Sequence, residues 1–211
     1  MAKKLQLVFN SPVILISSLI TLLVFILQNT AIPNLIEIIA SSNTASLTEQ
    51  AFSPINPMHY VRLFTLIFGH YNMQTLCINL AIILLLGPRV EERFGTILVF
   101  IMFAITSFVA GILSVLFLEN SICGLDGIAL LLVILTLFEC ASLKEIYFSY
   151  IILLAVLIAN TIVFSIQQNN FGILLHYAGS LCASLFGFLD YSEHKKKPRK
   201  KSKPQIQQNQ Q

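Results

Sequence analysis

ICGLDGIALLLVILTLF, residues 122–138, is apolar almost from end to end and carries one ionisable side chain, Asp126, near its start. A helix needs roughly 20 mostly apolar residues to cross the hydrocarbon core of a bilayer, and this stretch reads as most of one such span. Its neighbours read the same way. Thr96–Leu118 is long and uncharged, Ile146–Ile166 follows, and Phe171–Leu189 closes the series. Upstream lie Gly69–Leu86, whose apolar half starts near Thr75, and Pro12–Leu27, which continues toward Ile32. The expected fold is an all-α membrane protein, a bundle of six transmembrane helices over residues 12–189. Residues 1–11 precede it as a short cytoplasmic end, and residues 190–211 follow as a basic, Gln-rich, disordered tail.

Composition supports a chain that faces lipid. Only 11% of its residues are charged against 56% hydrophobic, where soluble domains carry about 25% charge. Lys195, Lys196, Lys197, Arg199, Lys200, Lys201 and Lys203 crowd the tail, with Lys3 and Lys4 at the start. That leaves Arg62, Arg89, Arg93 and Lys144 for everything between, so the net charge of +3 points to anionic lipid beside the spans and not to nucleic acid. The turn Pro88–Gly95 and the loop at Lys144 fall on the same side as both basic termini. The opposite short loops, Glu119–Ser121 and Gln167–Asn170, have no Lys or Arg. The positive-inside rule then makes both termini cytoplasmic. Pro12–Leu27 also resembles the apolar core of a signal peptide, but no A-x-A site follows promptly and the parity of the spans favours retention. The outer connection, residues 28–68, is too long for a plain loop and is expected to be partly structured or functional.

Polar side chains at membrane depth are expensive and call for a reason. Asn79, Asp126 and His176 are such positions. Counted from the outer ends of their spans, Asp126 and His176 lie at similar shallow depth, which predicts that they meet inside the bundle as a charged pair. The bland alternatives are an inter-helical hydrogen bond for Asn79 and a helix-capping role for Asp126. In the last span Gly179, Ala183 and Gly187 recur every four residues, a small-residue stripe suited to close helix packing, with His176 on roughly the same face. Cys77, Cys123, Cys140 and Cys182 have no CxxC spacing and read as small buried residues. No metal site, disulfide or cofactor is expected.

Taken together, RLFTLIFGH at residues 62–70, Asn79, GPRVEERFG at 87–95, GLDG at 124–127 and HYAGSLCASLFG at 176–187 resemble the rhomboid intramembrane serine proteases in order and topology over roughly residues 60–189. The resemblance implies a Ser–His dyad in which serine attacks a peptide carbonyl and histidine takes its proton. The base then matches His176, an oxyanion donor matches Asn79, and the first histidine of the run matches His70. Two positions depart from the pattern. The nucleophile position holds Asp126, and the oxyanion histidine is Thr75. A lost oxyanion donor costs about 10²–10³ in rate, and a lost nucleophile removes the covalent route. The expectation is a pseudoprotease that binds transmembrane segments of other membrane proteins within the lipid bilayer. An active serine-type endopeptidase and a small transporter or proton relay using Asp126 and His176 are the alternatives. Against the transporter, the chain shows no inverted repeat and no pair of broken helices. Aspartyl chemistry requires a second carboxylate at the level of Asp126. Nothing in the sequence points to an oligomeric state.

Overall fold

A computed structural model of the chain describes residues 11–41, 55–117, 122–167 and 173–196. The described residues are helical with no strand. The helices are α1 (Pro12–Thr30), α2 (Leu35–Ile39), α3 (Pro57–Thr65), α4 (Met73–Phe94), α5 (Thr96–Phe117), α6 (Asp126–Ser142), α7 (Phe148–Gln167) and α8 (Ile173–Lys196), with a 3₁₀ turn at Leu66–Phe68 after α3. α1, α4 and α5 are long and apolar enough to cross a membrane, and α7 and α8 carry the shorter apolar runs Phe148–Val163 and Leu174–Leu189. The middle of the bundle is α6. Ile128, Ala129, Leu131, Leu132, Val133 and Leu135 are all fully buried, as expected of a helix that is hydrophobic on every side.

Small residues set how closely the helices approach. A methyl group added at Gly179 would strike the Thr106 carbonyl of α5, and one at Gly187 would strike the Met102 sulfur. Ala183 between them is fully buried. The stripe of α8 therefore lies on α5. A methyl at Gly127 would come within 2.8 Å of the His176 carbonyl oxygen, which sets α6 against α8. On the other flank, a methyl at Gly87 would lie 2.7 Å from the Ile14 side chain, so α4 and α1 meet there.

Charged residues tie the helix ends together. Glu91 of α4 accepts the backbone N–H groups of Val13 at 3.1 Å and Ile14 at 3.0 Å. The accounting at the start of α1 then closes: Pro12 has no N–H, and Leu15 donates to the Ser11 carbonyl at 3.1 Å. Glu139 of α6 receives Arg93 at 3.2 Å and Arg89 at 3.4 Å. These long-range bonds explain a departure from expectation. α4 does not stop at Leu86 but runs through Pro88 to Phe94, and the turn narrows to Gly95, whose φ of 89° suits glycine. α8 likewise passes Leu189 and continues to Lys196, so the first part of the basic tail is helical. Residues 197–211, and most of the Ser41–Thr48 cluster, lie outside the described residues.

Among the described residues, the outer connection holds the helices α2 and α3. The Arg62 guanidinium donates from Nε to the Ile38 carbonyl at 2.7 Å, and the Thr65 hydroxyl donates to the Ile39 carbonyl. Arg62 and Thr65 of the R-x-x-T run thus clamp the end of α2 onto α3. Ser107 of α5 offers its hydroxyl to the carbonyls of Leu63 at 2.8 Å and Phe64 at 2.9 Å, seating α3 on the bundle.

Candidate functional site

The polar residues singled out by the sequence gather where α4, α6 and α8 begin. Gly124 fixes the approach to α6. Its N–H donates to the Leu66 carbonyl at 2.9 Å, and its φ of 133° is a conformation that side chains disfavour. An added methyl there would also sit 2.7 Å from Asp126 Oδ2. This geometry turns the Leu125 N–H inward, where it donates to His70 Nε2 at 3.2 Å. Asn79 reaches the same ring nitrogen with its Nδ2 at 3.4 Å. Both residues are buried, His70 at 3% and Asn79 at 2% exposure. An imidazole nitrogen that accepts is unprotonated, so His70 is neutral with its proton on Nδ1. Asn79 and the Leu125 amide, two N–H donors near the nucleophile position, are thereby both turned onto the His70 lone pair.

Beside His70 lies a cavity of about 110 Å³. Tyr71, Asn72 and Thr75 bound it from the α4 side, Cys123 and Asp126 from the entrance of α6, and Asn160 and Thr161 from α7. Asn72 also caps α4, accepting the Gln74 N–H at 2.7 Å. Thr75 stands one turn ahead of Asn79 and is half-buried. Asp126 is the first residue of α6, again half-buried.

His176 makes no hydrogen bond to this group. It is 1% exposed and neither ring nitrogen has a hydrogen-bond partner. The expected Asp126–His176 charged pair is absent among the described residues, where Glu139 is the acid that pairs with Arg89 and Arg93. The reason is rotational. The face of α6 toward α8 is presented by Gly127, and Asp126, one residue earlier, is turned about 100° away. Its carboxylate comes to rest near Gly124 and the cavity. The structure thus brings His70, Asn79, Thr75 and Asp126 together and leaves His176 behind Gly127.

Further polar side chains join the helices of this region. Ser180 donates to the carbonyls of Gly127 and His176, each at 2.8 Å, and so links α8 to α6. Tyr177 donates to the Leu157 carbonyl at 3.0 Å and is hydrogen-bonded to the Thr161 hydroxyl, joining α8 to α7. Asn160 and Thr161 form a polar pair inside the apolar fifth segment, and the depth rule that flagged Asn79 applies equally to them.

Chemically, serine-type hydrolysis needs a hydroxyl hydrogen-bonded to a base. Among the described residues no hydroxyl is hydrogen-bonded to the His176 nitrogens, and the Ser180 hydroxyl is spent on two carbonyls. What the cavity offers is a carboxylate among neutral hydrogen-bonding side chains. A family model describing the Rhomboid domain matches residues 57–193, which run from α3 into α8. The chain belongs to the rhomboid family. It is an integral membrane protein of a family that generally consists of intramembrane serine proteases. Its rhomboid domain covers the whole candidate site, with α1 and α2 lying ahead of the match. No curated protein matches the chain.

Proposed function

We propose that this rhomboid-family protein has no peptidase activity and works by binding transmembrane segments of other membrane proteins. The observation that carries the reading is the state of the two dyad positions. The nucleophile position holds a carboxylate, and the matching base, His176, is buried with neither nitrogen bonded to any group. A carboxylate is a far poorer amide nucleophile than an activated serine, and removing a proton cannot activate it. Thr75 in place of the oxyanion histidine, and His70 already occupying Asn79 and the Leu125 N–H, add to the same reading. A route for a client runs beside α7. That helix buries Leu157, Thr161 and Ser165, a narrow stripe at four-residue spacing, and leaves Ile151, Val156, Ile162 and Val163 exposed. Cleavage of a reporter transmembrane substrate by the purified protein tests the claim, with none expected.

The same reading takes α1 and α4 to α8 as six spans with both termini cytoplasmic, on the strength of the Lys and Arg distribution. Reporter fusions at the tail and within Ser41–Thr48 are expected to report opposite sides of the membrane. A report from the same side for both would contradict six spans.

A further inference from the structure

Asp126 is a carboxylate without a counter-charge. It forms no hydrogen bond or ion pair among the described residues, although it lines a cavity at the entrance of α6. The Arg and Lys side chains that the structure describes are placed elsewhere. Arg89 and Arg93 hold Glu139, and Arg62 holds the Ile38 carbonyl. Lys144 follows the far end of α6, about 25 Å away along the helix axis. The first turn of a helix favours negative charge, so the fold keeps the carboxylate where it is and leaves it unmatched.

The rest of the lining is neutral and able to accept hydrogen bonds. Thr75, Asn160 and Thr161 face the same space. His70 supplies no competing cation, because its Nε2 already accepts from Leu125. At about 110 Å³ the cavity has room for several water molecules or for the end of a side chain. Tyr71, Asn72 and Asn160 are exposed, so the mouth lies between the start of α4 and the second half of α7.

We infer that this cavity receives the cationic end of a lysine or arginine side chain carried by a client transmembrane segment, with Asp126 as its counter-ion and Thr75 and Asn160 as hydrogen-bond acceptors. The inference rests on the client-binding reading and names the client's chemistry. A basic residue within a span is costly unless paired, and here the protein supplies the missing partner.

The test uses the full chain in phosphatidylcholine nanodiscs and labelled transmembrane peptides. The peptides are identical except for Lys, Gln or Leu one turn inside the outer end. A charge-assisted hydrogen bond corresponds to about tenfold in affinity, so the Lys peptide should bind about tenfold more tightly than the Gln peptide. The ratio should fall to about one in Asp126→Asn, which removes the charge and keeps the shape. It should also fall in Thr75→Lys, which places an ammonium in the cavity. Equal binding of the Lys and Gln peptides to the parent would overturn the inference while leaving client binding intact. A preference that survives in both variants would overturn it too. A preference seen in phosphatidylcholine and erased in phosphatidylethanolamine would assign the site to a lipid headgroup ammonium instead. Failure of every peptide to bind would remove the client reading, and this inference with it.

Discussion

Replacing Glu91 should loosen the junction of α1 and α4 by an amount that the structure sets. The Glu91 side chain is 2% exposed, and its two oxygens accept two backbone N–H groups from the first turn of α1. Hydrogen bonds to a charged group contribute about 1.5–3 kcal/mol each. Both are lost in Glu91→Ala, and water can recover part of the loss at Val13, which is half-buried. We expect about 3 kcal/mol for Ala. Glu91→Gln keeps one acceptor oxygen and turns an amide donor toward the other N–H, so about half of that is expected. For a chain of this size 1 kcal/mol shifts Tm by about 2–4 °C, which gives roughly 6–12 °C for Ala. Thermal unfolding in detergent micelles, followed by circular dichroism, reads this directly. If Ala and Gln both fell within about 1 °C of the parent, Glu91 would not be capping α1, and the explanation given for the extended end of α4 would fail with it.

Two further outcomes follow from the packing and the site. Gly179→Leu should destabilise strongly, because even its first carbon strikes the Thr106 carbonyl; a parent-like Tm would mean that α8 does not lie on α5 through this stripe. Asp126→Ala and His176→Ala should couple by well under about 2 kcal/mol in a double-mutant cycle, because the two side chains share no hydrogen bond; a coupling energy of about 2 kcal/mol or more would show that they pair after all.

The bundle was legible because a bilayer demands long apolar runs, and each such run returned as a helix. Where helices end was less legible. Hydropathy registers the lipid-facing length, whereas the last turns of α4 depend on bonds from Glu91, Arg89 and Arg93 to distant helices. The outer connection announced its prolines and an apolar stretch, but α2 and α3 are held by Arg62, Thr65 and Ser107, each acting on backbone carbonyls far away in sequence. At the candidate site, counting residues from a span's end gave depth and not direction around the helix. Depth placed Asp126 and His176 at one level, and direction separated them, because Gly127 is the residue facing α8. The resemblance to rhomboids marked His70 only as the first histidine of a run. That its ring nitrogen gathers Asn79 and the Leu125 amide became visible with the fold.

The most direct test of the central claim is a cleavage assay with the purified protein in liposomes. A fluorogenic reporter carrying a transmembrane segment is incubated with the parent, with His176→Ala and with Asp126→Ser/Thr75→His, the last restoring the family pattern at both departures. The account predicts no cleavage by the parent above the His176→Ala background, whatever the double variant does. Cleavage by the parent that disappears in His176→Ala would contradict it, because it would show that a working base and an unrecognised nucleophile act together at this site.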